Sequence, residues 1–197
     1  MIKMLMDKRV LVRAGINIAL TLGLLALTWT LAYLLLPQGL VKLGFTASLI
    51  SPSVYTITAQ ILAANVILGA LGLALMNQWH DARGLALGYY IHFFRSAIFH
   101  GVLRGTNSFA FPYASQGEII AGFFRVGLWE TLAFCLICSA TAACVAFPTS
   151  SPDGIKSFIA FLTRPARIGR DGLIVLIIGV LMLGFAAVME ALNILNG

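Results

Sequence analysis

Four ionisable side chains interrupt long apolar stretches: Arg95, Arg125, Glu130 and Glu190. His92 and His100 stand beside the first of them. Charge inside a membrane is costly, so such residues pair, line a polar path or meet a partner. His92, Arg95, Ser96, Phe99 and His100 recur at spacings of three and four, which puts them on one stripe of a helix. Three readings of that stripe stand: it faces a neighbouring helix and holds a bundle together, it borders a path for a proton, ion or small substrate, or another subunit covers it.

Depth narrows who can meet whom. Arg95 falls near the middle of its apolar segment. Glu130 lies about 11 residues into the next, or roughly 16 Å at the helical rise, which is also near the midplane. An ion pair between Arg95 and Glu130 is therefore expected. Arg125 and Glu190 share a shallower level and form a second expected pair. Arg125 and Glu130 are five positions apart, which turns a helix by about 140° and separates them.

Other chemistries find little material. Cys135 and Cys138 have a C-x-x-C spacing, with Cys144 in the same apolar segment, but a tetrahedral metal site needs four good ligands and the chain has only three histidines. The cysteines read as small packing residues, and no metal site is expected. There is no phosphate-cradling glycine loop, no H-E-x-x-H and no Ser/His/Asp set, so no catalytic residues are assigned. No cofactor is expected from the residues, although His92 or His100 as an axial ligand of haem or a pigment remains an open alternative.

Helices must carry these residues. Of the 197 residues 60% are hydrophobic and 10% charged, against about half and a quarter in soluble domains, so lipid must solvate much of the surface. Five segments are long enough to span: about 14–36, 55–76, 84–103, 119–147 and 172–193. The third is the least apolar. The first follows a basic stretch but is too long for a signal-peptide core and reads as a retained helix. The prediction is an all-α, polytopic membrane helix bundle forming one domain over residues 1–197.

The net charge of +6 sets orientation and does not point to nucleic acid. With five spans, Lys3, Lys8, Arg9, Arg13, Arg83, Lys156, Arg164, Arg167 and Arg170 fall on one side, and Lys42 and Arg104 on the other. The positive-inside rule then puts the N-terminus in the cytoplasm and the C-terminus outside. After Pro152-Asp153-Gly154, the spacing of Ile155, Phe158, Ile159 and Leu162 predicts a short cytoplasmic interfacial helix over about 155–164. The segment 38–53 is apolar enough to rest on the outer interface, and 104–116 reads as an ordered outer loop with aromatic anchors.

Small residues mark expected helix contacts, because they let backbones approach where burial of oily side chains gives no driving force. Gly15, Ala19 and Gly23 recur every fourth position; Asn65, Gly69 and Gly72 follow in the second segment; Gly127 precedes Glu130. Contact within this chain or with another subunit would both fit.

The run Val126-Gly127-Leu128-Trp129-Glu130, followed by Thr131-Leu132-Ala133-Phe134, resembles the His-Gly-x-x-Glu-like motif of the stage II sporulation protein M family of prokaryotic membrane proteins. Ala186-Ala187-Val188-Met189-Glu190-Ala191 is similar to that family's final-helix pattern, and Asn65, Gly69 and Gly72 to an earlier one; the similarity covers about 57–194. Val126 stands where the family usually has His, and Phe99-His100-Gly101 is the nearest run to its Asn-Gly. The resemblance implies a five-helix, non-enzymatic component of a larger complex in a prokaryotic cell membrane, with other membrane subunits as partners. It also implies structural roles for Glu130 and Glu190. A small permease with its path at Arg95 and Glu130 is the alternative, and a cofactor-bearing subunit of an energy-transducing complex a further one.

Overall fold

A computed structural model describes residues 2–41, 53–81, 83–109, 112–142, 147–148 and 168–196. The interfacial helix expected over 155–164 lies outside the described residues. A single turn, α1 (Ile2–Leu5), precedes α2 (Val10–Leu35), α3 (Val54–Met76), α4 (87–105), α5 (Gln116–Thr141) and α6 (Arg170–Asn196). Two-residue strands Trp79–His80 and Phe147–Pro148 pair in parallel and tie a connection after α3 to one after α5.

The chain is all-α, and four helices, α2, α3, α5 and α6, are long and apolar enough to cross a membrane. The fourth sequence segment, expected over 119–147, is helical from Gln116 to Thr141, so it starts earlier and stops short of Pro148. Its start is set locally. Ser115 Oγ accepts from the Glu118 amide at 3.3 Å, and a Glu118 carboxylate oxygen accepts from the Ala114 amide at 3.1 Å, so exposed first-turn donors are satisfied. The helix α2 begins at Val10, not Ala14, and ends just before Pro37, whose ring cannot continue it.

Successive helices run in opposite directions. Both α2 and α4 rise from the end that holds the N-terminus: Tyr89 donates to Leu5 O at 3.0 Å at that near end, and Thr28 to Ala97 O at 2.7 Å further along. The helix α5 descends beside them, from Gln116 near Trp29 to Ser139 near Arg13. α3 also ends at the near end, where Asn77 meets Cys138 and Thr141 of α5.

The burial pattern inverts that of a water-soluble bundle. Leu35, Leu68 and Leu181 are 73%, 80% and 68% exposed, while Asn17, Thr21 and His92 are 0% exposed. Buried polar groups and a broad apolar surface are the informative departures from the usual arrangement, and both follow when lipid is the solvent. Apolar packing still fills the middle, with Leu73, Tyr89, Phe134, Ile137 and Leu183 in one cluster.

Glycines decide which helices come closest, and they are not the ones the first-helix spacing suggests. Gly15 and Gly23 have nothing within 4 Å of where a Cβ would stand, and with Ala19 they form an exposed stripe on α2. Gly72 is likewise open. The packing expected at these four positions is therefore not made among the described residues. α2 presents its polar face inward instead, because buried bonds to its neighbours outweigh close backbone approach. The tight contact is Gly101-x-x-x-Gly105 of α4 against Thr28, Trp29 and Ala32 of α2; a Cβ on Gly105 would stand 2.5 Å from Trp29 O.

Candidate functional site

Three π-helical turns occupy Asn65–Leu71, Phe93–Phe99 and Phe123–Gly127 within α3, α4 and α5. Such turns insert an extra residue and shift the helix face, and they gather at functional sites. Here they surround one charged centre. Arg95 projects from the second turn, and its Nη2 lies 3.3 Å from Glu130 Oε1 on α5. Its guanidinium carbon sits 4.2 Å from the centre of the Phe134 ring, in cation–π contact. Gly69 of the first turn lets this happen: a Cβ there would stand 2.5 Å from Phe134 Cε1 and 3.3 Å from Arg95 Nη1. Gly127 of the third turn does the same for Arg104, whose Nη2 would be 2.6 Å from a Cβ.

Arg104 is a member of this centre that sequence reasoning assigned to an outer loop. It is 8% exposed, donates from Nη1 to His100 O at 3.2 Å, and lies 5.1 Å from the Phe123 ring and 6.0 Å from the Trp29 ring. Between the two arginines is a cavity of about 10 Å³ lined by Arg95, Ser96, His100, Arg104, Glu130, Thr131 and Phe134. The Nη1 of Arg95 is buried and has no hydrogen-bond partner among the described residues.

The expected polar stripe on α4 splits at its π turn. Arg95 and His100 serve the cavity, and Ser96 lines it while also reaching the other way. Phe99 is 38% exposed and edge-on to the His100 ring. His92 turns to a second, wholly buried network nearer the N-terminal end. Its Nε2 lies 3.1 Å from Thr21 Oγ1 and 3.3 Å from Cys135 Sγ, and its Nδ1 lies 3.1 Å from Ser96 Oγ. Thr21 donates to Asn17 Oδ1 at 3.3 Å, and Asn17 Nδ2 donates to Cys135 O at 3.0 Å and Ser139 Oγ at 3.2 Å. With the Thr21 hydroxyl used on Asn17, His92 Nε2–H donates to Thr21 and Nδ1 accepts from Ser96. Every member then has a partner, as a buried network requires.

Below this network, carbonyls of the last turn of α5 accept hydrogen bonds from side chains that other segments bring to this end. Arg13 Nε donates to Ser139 O at 3.0 Å, and Asn77 Nδ2 to Cys138 O at 2.9 Å. A guanidinium there also complements the negative end of the helix dipole.

The second expected pair does not form. Arg125 Nη1 donates to Asn193 Oδ1 at 2.9 Å, and no ion pair involves Glu190 among the described residues. Asn193 lies three residues past Glu190, about 4.5 Å further along the helix, and the π turn at Phe123–Gly127 swings Arg125 toward that outer level. Glu190 instead lies close enough to Glu130 for their charges to interact. Asn65 begins the first π turn and is half-buried.

No group of three or more His, Cys, Asp or Glu suited to a metal ion occurs among the described residues. A scan against protein-family models, a search of curated proteins and a search of solved structures each found no match.

Proposed function

We propose that the chain is a multi-pass, non-enzymatic membrane protein that serves as a subunit or scaffold of a larger membrane complex in a prokaryotic cell membrane. In this reading α4 is a fifth span, shorter and more polar than the rest, and the near end faces the cytoplasm. Nine basic residues against two support that orientation. The resemblance to the stage II sporulation protein M family supports the same role.

The observation that carries the proposal is how the polar stripe on α4 is used. His92 is bonded to α2 and α5, and Arg95 to α5, so the groups that could have lined a path fasten helices together. The accompanying cavity, at about 10 Å³, admits one water-sized particle and no organic substrate, which weighs against a permease path there. The exposed stripe of Gly15, Ala19 and Gly23 on α2 gives a partner helix a surface it can approach closely.

The test is gentle extraction from the native host with mass spectrometry of what copurifies, for the wild type and for Ala19→Leu combined with Gly23→Leu. The reading predicts stoichiometric membrane partners with the wild type and their loss in the variant, with the melting temperature of the chain itself unchanged. A wild-type chain that purifies alone would contradict it.

A further inference from the structure

Arg125 is exposed, although it stands in a helix long and apolar enough to cross a membrane. A cation on the outer surface of such a helix is costly unless something answers its charge. Within the chain it meets an amide: Nη1 donates to Asn193 Oδ1 at 2.9 Å, and no ion pair involves it among the described residues. A guanidinium carries five donors, and this bond spends one. Because Asn193 uses its oxygen to accept from Arg125, its Nδ2 is left as a donor with no partner among the described residues. The two side chains together offer donors and one positive charge. An anionic acceptor completes them.

Depth and surroundings say which anion. The helices α5 and α6 run antiparallel along this seam: a Cβ on Gly179 would stand 3.1 Å from Ala133 O, and the Trp129 and Phe185 rings meet edge-on at 5.4 Å. Arg125 lies nine residues past Gln116, about 13 Å from the start of α5. Side chains lean toward the N-terminus of their helix, so Arg125 leans toward the far end of the bundle, opposite the chain's N-terminus. Its bond lands on Asn193, three residues before the end of α6. That helix has 27 residues, or about 40 Å, some 10 Å more than the hydrocarbon layer, so Asn193 falls where hydrocarbon gives way to headgroups. One turn deeper, Trp129 and Phe185 are 38% and 48% exposed and present an aromatic wall at acyl-chain depth. Two carboxylates stand nearby, and neither is spent on Arg125. Glu118, two turns above it, accepts from the Ala114 amide at 3.1 Å, and the half-buried Glu190 lies toward Glu130. A donor pair at headgroup level above an apolar wall matches a phospholipid. We propose that Arg125 and Asn193 bind the phosphodiester of a phospholipid whose acyl chain lies along Trp129 and Phe185 between α5 and α6. The inference rests on the chain's lying in a membrane and not on the scaffold role: partners could copurify while this site holds no lipid, and the reverse.

The test uses the full chain purified and delipidated in a maltoside, which contains no phosphate. Phosphatidylglycerol is titrated in, with native mass spectrometry and thermal unfolding as readouts. The controls are a diglucosyl diacylglycerol with the same acyl chains and inorganic phosphate alone. The site predicts one retained phospholipid, a saturable rise of the melting temperature with it, a smaller rise with the glycolipid and none with phosphate. Arg125→Gln should weaken phospholipid binding at least about tenfold, and Asn193→Leu by less. Equal responses of the wild type to phospholipid and glycolipid, which need no variant to fold, would overturn the proposal. So would an equal rise with inorganic phosphate, which makes this an ion site, or an Arg125→Gln protein that binds phospholipid as the wild type does. Loss of a protein partner from native membranes on Arg125→Gln, with lipid retention unchanged, would overturn it in favour of a partner's carboxylate.

Discussion

The bundle holds two polar regions of similar size built on opposite plans. The network around His92 is wholly buried and closed: Asn17, Thr21, His92, Ser96 and Ser139 pass hydrogen bonds along from α4 through α2 to α5. The centre around Arg95 is charged and incomplete, with a cavity and an unpartnered donor. The first plan fastens helices as buried amides and hydroxyls do, by leaving no group unbonded. The second has bonding capacity left over, in helices distorted by π turns. Saturation marks a region as structural; the unspent capacity lies beside a space for one water.

The contrast can be broken by substitution, and the largest effect belongs to the charged centre. Glu130→Gln leaves Arg95 without its paired carboxylate and should cost about 3 kcal/mol in unfolding free energy, measured by reversible denaturation in mixed micelles. His92→Ala takes a partner from each of Thr21, Ser96 and Cys135 and opens a void, for a loss of about 2–3 kcal/mol by the same assay. Gly105→Ala drives a methyl into the main chain of α2 and should cost about 1–3 kcal/mol, whereas Gly15→Ala on the open stripe of the same helix should cost nothing and can stabilise.

The smallest effect lies outside the bundle. Asp81 accepts from Tyr90 Oη at 2.6 Å and from the amides of Arg83 and Leu85, and these bonds hold its carboxyl below its usual pKa. A depressed folded value stabilises the fold above the unfolded pKa of 3.8, and the contribution disappears as pH falls through the folded value. Asp81→Asn should therefore flatten the acid limb of the stability profile below pH about 4, with a small deficit at neutral pH that vanishes in acid. The residue is half-buried at the surface, so the difference is small.

Much of this arrangement can be read from residue types, and the rest is hidden for identifiable reasons. Length and hydropathy locate the apolar helices, and equal depth from the membrane boundary sets Arg95 beside Glu130, which lie 3.3 Å apart. The same depth argument sets Arg125 opposite Glu190, but Arg125 bonds Asn193 from within a π turn, and such a turn has no sequence signature. Arg13, Asn17 and Thr21 recur every fourth residue on α2, the spacing of a polar face, yet the small residues Gly15, Ala19 and Gly23 recur just as regularly on another face. Spacing finds both faces; only the partners available on α4 and α5 decide which turns inward. Gly101-x-x-x-Gly105 has the spacing of a contact motif, but its second glycine lies past the expected end of the least apolar segment, where Arg104 reads as a loop residue.

The central claim is that Arg95 and Glu130 act as one fastening between α4 and α5, and a double-mutant cycle tests it most directly. Arg95→Met, Glu130→Leu and the double variant are unfolded reversibly under identical conditions. The account predicts that each single change is strongly destabilising, and that the double variant recovers most of the loss, with a coupling of about 2–3 kcal/mol. Additive losses within about 0.5 kcal/mol would contradict it, because residues that do not interact add.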